Sequence, residues 1–337
     1  MRIGVQGQSR TMQKNYLLKL IPPVPFGRWI SGILLLALLS IFFSLTTSQT
    51  ISPVTLFFTL IISYIIPIYS FISEKSEQAL DDLREELTLS TEEFTRIRLS
   101  ITHSTFTGNI TPPLIGFAIA LIHQWFIFGT FLAFVSEKGI NIEILAGYIG
   151  TFLIWITMSS VIRSLVSIAR IFSKLGKNHT QIDLHQTHKL VPFARVAIIS
   201  TLALIGALAL FPILLFDSDM PLLGALPGFI ATGIPIFIML AIPVWPIHRR
   251  LLQAKEQALA HTRELISDKT ENLNVQSMNT ETIVKLAPLL AYQRSLIQIS
   301  TWPFDLGAIT RLTLYLIIPP ITWVGAALIE KGLESIL

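Results

Sequence analysis

The chain has 337 residues, of which 52% are hydrophobic and only 14% charged, with no cysteine and a formal net charge of +4. A soluble domain carries about 25% charged residues, so the composition excludes an ordinary globular domain, and the absence of thiols excludes disulfides, thiolate metal centres and a cysteine nucleophile. The apolar residues come in blocks of about 20 rather than in alternating segments of about 10, which selects an all-α polytopic membrane protein over a β-barrel.

In chain order, residues 1–28 form a basic amino-terminal segment carrying Arg2, Arg10, Lys14, Lys19 and Arg28. The apolar run that follows lacks a small-residue cleavage site and reads as a retained span, not a removed signal. Leu17, Leu18, Leu20 and Ile21 precede Pro22-Pro23 and read as a short segment lying at the membrane surface. About seven transmembrane helices are expected, at 29–47, 53–72, 113–135, 144–169, 193–216, 222–247 and 306–329.

Basic residues set the expected orientation. The segments on the amino-terminal side of these spans hold 21 Lys and Arg, against 2 on the opposite side. By the positive-inside rule the amino terminus is cytoplasmic and the carboxyl terminus outside, in a bacterial inner (plasma) membrane. Topology-setting cations explain the net charge, so no nucleic-acid partner is expected. The bilayer, a membrane or cytoplasmic protein, and a second copy in a homo-oligomer are the partners the pattern allows.

Two polar helices leave the apolar blocks in the same way. PIYSFISEKSEQALDDLREEL, from Pro67, and PIHRRLLQAKEQALAHTRELI, from Pro246, share eight of 21 residues without gaps, including Glu77/Glu256, Leu80/Leu259 and Arg84/Arg263. Ile72, Leu80 and Leu87 align with Leu251, Leu259 and Ile266, so the apolar stripe is kept. Ser90 and Glu93 then form a capping-box signature ahead of a second amphipathic segment. The expected organisation is a first repeat over 29–135, with cytoplasmic helices in 73–112, and a second over 193–337, with cytoplasmic helices in 248–305. A connecting span and basic loop occupy 136–192. The two repeats are like-oriented three-span units, each with a cytoplasmic helical hairpin.

Ionisable groups inside spans are costly and become candidates by default. His123, beside Gln124, falls near the middle of the third span; Arg163 falls in the fourth; Arg311, near Asp305, opens the seventh. A hydrogen bond to a neighbouring helix is the simpler reading of His123, snorkelling that of Arg163, and an intra-helix pair with Asp305 or snorkelling that of Arg311. The sixth span is dense in helix breakers, with Pro235 at its centre, and broken helices line many transport sites. Leu80, Leu87, Leu259 and Ile266 are candidates for docking a partner. His185 and His188 sit three apart, a weak metal spacing better read as a solvated loop. No H-E-x-x-H, G-x-S-x-G, P-loop or dinucleotide turn occurs, so neither a cofactor nor a recognised catalytic class is expected. Two functions fit: a channel or transporter for a small solute or anion, or a non-catalytic scaffold or accessory subunit of a membrane complex.

Overall fold

A computed structural model describes residues 12–46, 52–128, 142–216, 222–270 and 280–304, with further helical positions between 307 and 325. The protein is built almost wholly from helices: α1 (Tyr16–Lys19), α2 (Gly27–Thr46), α3 (Pro53–Asp82), α4 (Thr91–Thr102), α5 (Phe106–Phe128), α6 (Ile142–Asn178), α7 (Val191–Leu208), α8 (Leu222–Thr270) and α9 (Thr280–Gln298). Short 3-10 turns flank α7 at Leu184–Leu190 and Phe211–Phe216. Two-residue strands, β1 (Gln13–Lys14) and β2 (His103–Ser104), pair antiparallel. Among the described residues, six helices are long and apolar enough to cross a membrane, so this is an integral multi-pass membrane protein. The seventh expected span lies largely outside the described residues.

Several helices run further than their apolar stretches. α3 continues through Pro67 to Asp82, and α8 continues through Pro246 to Thr270, so span and polar extension are one helix in each case. α5 begins at Phe106, ahead of the span expected from 113, and passes through Pro112-Pro113. The Ser159 hydroxyl of α6 donates to the Pro112 carbonyl at 2.8 Å, which ties α6 to α5 at this point.

The helices sort into centre and periphery. α3, α6, α7 and α8 pack around one another, while α2 lies on α3 and α5 on α6. The apolar stretch of α3 is 61% buried, but those of α2 and α5 are only 17% buried. Rows of exposed apolar residues, such as Ile33, Leu38 and Ile41 on α2 and Leu114, Leu121 and Ile122 on α5, therefore face lipid. Phe43, Phe57, Phe58, Ile61, Ile65, Leu165, Leu204, Phe211 and Met239 fill the interior. Gly116 lets α5 approach α6: a Cβ there would collide with the Trp155 carbonyl and the Ser159 hydroxyl.

α3, α6 and α8 each start apolar and end charged, while α2 and α7 carry Arg28 and Arg195 near their starts and α5, without a charged residue, begins at its polar end, so the charged ends gather at one end of the bundle. A second core sits there. Leu80, Leu83, Leu87, Phe94 and Ile101 from the first polar hairpin pack on Ile168, Phe172 and Leu175 of α6, on Leu190 and Phe193 around the start of α7, and on Ile247 and Leu251 of α8. Ser90 and Glu93 form the capping box that opens α4. Glu93 accepts from the Ser90 backbone N–H and hydroxyl, which holds its carboxyl below its usual range.

Candidate functional site

Among the described residues, the sequence candidates His123 and Arg163 lie apart. His123 of α5 meets Trp155 of α6, whose Nε1–H donates to His123 Nδ1 at 3.0 Å, with the rings edge to face. Indole nitrogen only donates, so Nδ1 must accept, and a proton on this imidazole belongs on Nε2. Gln124 is buried beside it, and its Oε1 has no hydrogen-bond partner among the described residues. Arg163 is exposed on α6, eight residues and about 12 Å beyond Trp155. Pro235 is buried in α8. Asp305 and Arg311 lie outside the described residues.

The docking candidates divide. Leu80 is fully buried and Leu87 nearly so, both in the second core, where their side chains serve the chain's own packing. An amphipathic stripe shows that a face is covered but not by what; here α6, α7 and α8 cover it. Leu259 and Ile266 of α8 are only half-buried.

A constellation not singled out in the sequence ties the amino-terminal strap to the bundle. β1 pairs with β2 (Gln13 with Ser104, Lys14 with His103), and the Asn15 N–H donates to the Thr102 carbonyl at 3.0 Å. This delivers Asn15 into the bundle, where it is buried. Its Nδ2 donates to the Tyr69 hydroxyl of α3 at 3.1 Å and to Ser164 Oγ of α6 at 3.0 Å. Its Oδ1 accepts from the Leu17 N–H and so caps α1. The Tyr16 hydroxyl bonds to Ser160 on α6, and Leu17 and Leu18 enter the first core. The short segment expected on the membrane surface is thus a wedge between α3 and α6.

Elsewhere at this end, cations close helix ends. Arg250 Nη1 donates to the carbonyls of Gly176 (3.2 Å) and Thr180 (2.6 Å) at the end of α6. Lys255 Nζ donates to those of Ile297 and Ile299 at the end of α9. Both place positive charge at the negative end of a helix dipole. His248 stacks on Trp302 with ring centroids 3.8 Å apart, pinning the turn after α9 to α8. A cleft of about 350 Å³ lies between Asp82, Glu85, Glu86, His188, Lys189 and Arg195, but Asp82 is paired with Arg195 at 2.6 Å and Glu86 with Lys189 at 2.8 Å.

Among the described residues the buried polar side chains are hydroxyls and amides, together with the Trp155 indole, while His123 is half-buried. Asp183 caps the 3-10 turn through the His185 N–H, and the His185 ring lies 5.8 Å from that of Tyr292, which gives that loop a structural role. Among the described residues no three His, Asp or Glu side chains are grouped to hold a metal. No family model, curated protein or solved structure matches the chain.

Proposed function

We propose that the protein is a non-catalytic scaffold or accessory subunit of a membrane complex, and that its α8–α9 pair receives a protein partner beside the bilayer. The observation that carries this is the contrast between the two polar hairpins. The first buries its apolar stripe in the second core. The polar extension of α8 and its neighbour α9 instead leave Leu252, Leu265, Leu290 and Ile297 exposed, with Leu259 and Ile266 half-covered between. Leu252, Leu259 and Ile266 recur every seven residues, the spacing of a seam for another helix. Pull-down of the tagged full-length protein in mild detergent should recover a stoichiometric partner that Leu259→Asp and Ile266→Asp release. Recovery of a folded protein alone, with both variants behaving identically, would overturn this.

In this reading the amino terminus is cytoplasmic, the membrane is the bacterial inner membrane, and the positions between 307 and 325 belong to a seventh crossing. The gathering of charged ends on one side supports it. Duplication of a three-span unit is supported by the continuous exits of α3 and α8 and by the shared burial of aligned Ile72 and Leu251.

Transport of a small solute or anion is the second reading. It is favoured by Gln124 Oε1 and Thr201 Oγ1, both buried without a hydrogen-bond partner among the described residues, and by the prolines at 227, 235, 243 and 246 of α8. Flux into proteoliposomes that falls in His123→Ala or Arg163→Ala would support it; no flux would remove it.

A further inference from the structure

One face of α6 is apolar over its first half and cationic over its second. At about 100° per residue, exposed Leu145, Ile149 and Leu153 fall within an arc of about 80°. Arg163, Ser167, Arg170, Lys174 and Lys177, all exposed, overlap that arc, with half-buried Ile156 and buried Ser160, which the Tyr16 hydroxyl meets, between the two sets.

Several other cations at this end of the bundle are held by partners, whereas Arg249, Arg263 and Arg294, like the four on this face, form no ion pair among the described residues. Arg28 pairs with Glu74 at 3.1 Å, Arg98 with Asp81 at 3.2 Å, and Lys189 and Arg195 with Glu86 and Asp82. Arg250 and Lys255 hold helix carbonyls. Arg163, Arg170, Lys174 and Lys177 have no acidic partner among the described residues.

Their depth can be read from hydrogen bonds. Asn15 bridges Ser164 and Tyr69, so these two are level. Glu74, the first charge on α3, lies five residues past Tyr69 and pairs with Arg28 at the start of α2, which marks the edge of the apolar layer. The matching position on α6 is near residue 169. Arg163 therefore sits about 9 Å inside that edge and must extend outward to reach water. Arg170 lies at the edge and Lys174 about 7 Å beyond it. A headgroup layer is about 5–7 Å thick, so these three cations span it.

We propose that this face of α6 seats an anionic phospholipid, with acyl chain along Leu145, Ile149 and Leu153 and phosphate held by Arg163 and Arg170, with Lys174 at the headgroup's outer edge. An acidic water-soluble partner would match the outer lysines alone, leaving both the depth of Arg163 and the apolar continuation without a role. The proposal is independent of the docking reading above.

The test is native mass spectrometry of the purified full-length protein in detergent with equal amounts of phosphatidylglycerol and phosphatidylcholine. The wild type should retain phosphatidylglycerol with a preference of about tenfold or more. The R163Q/R170Q/K174Q variant should lose that preference. R263Q/R294Q, which removes two exposed charges elsewhere, should keep it. Equal retention of the two lipids, equal loss in the control variant, or displacement of the lipid by millimolar inorganic phosphate would each overturn the proposal. Should the triple variant misfold, R170Q alone must lower the preference about fivefold, and an unchanged preference would refute the seat.

Discussion

The strap offers the sharpest test of how this bundle is held. Asn15→Ala removes both Nδ2 hydrogen bonds, to Tyr69 and Ser164, and the cap on the Leu17 N–H. A buried hydrogen bond contributes about 1 kcal/mol net and a helix cap about 0.5–1 kcal/mol, so the strap should loosen by about 2–3 kcal/mol. Tyr69 and Ser164 keep other partners, since Ser164 also donates to the Ser160 carbonyl at 2.9 Å, which limits the cost of orphaned groups. The chain has no cysteine, so Leu18→Cys adds a single thiol at a buried position of the strap. When local opening limits modification, its rate follows the open population, and 2 kcal/mol corresponds to about a thirtyfold increase. Maleimide labelling of Leu18→Cys should therefore speed up about thirtyfold when Asn15→Ala is added. An increase below about threefold would mean that the Asn15 fork does not hold the strap.

Other perturbations follow from the same contacts. Gly116→Leu should separate α5 from α6 and destabilise the protein by about 1–3 kcal/mol or more, seen as a lower midpoint of thermal unfolding in detergent. Leu80→Ala should cost about 2–5 kcal/mol by leaving a cavity in the second core, whereas Leu259→Ala, half-buried, should cost clearly less in the same assay. Arg250→Met should strip the carbonyls of Gly176 and Thr180 of their donor and speed amide exchange at the end of α6. Glu93 has a lowered folded pKa, so its contribution is present above the ordinary glutamate range and disappears as pH falls through the folded value. The midpoint difference between wild type and Glu93→Ala should therefore be largest near neutrality and vanish in acid.

Much of the architecture was legible because lipid imposes a simple rule. Any segment crossing it must satisfy its backbone internally over about 20 apolar residues, and α2, α3, α5, α6, α7 and α8 lie where such blocks occur. The capping box was legible because Ser90 and Glu93 act within one turn. The covering of Leu80 and Leu87 was not, since their partners Phe172, Phe193 and Leu251 are remote in sequence. Nor was Asn15, a single amide in a basic segment, whose meaning comes from the strand pair that delivers it between α3 and α6. The start of α5 was misjudged because Pro112-Pro113 reads as a stop, whereas both prolines lie inside the helix that begins at Phe106.

α6 is a single helix of 37 residues without an internal proline, about 55 Å long, belonging to both cores. Its lipid-embedded half cannot change tilt while its outer half stays still. A bilayer a few ångströms thinner or thicker asks such a helix to lean, and leaning would slide Phe172 and Leu175 past Leu80, Phe193 and Ile247. Any tilt of the lipid-facing half of α6 would therefore be carried by one continuous helix into the second core.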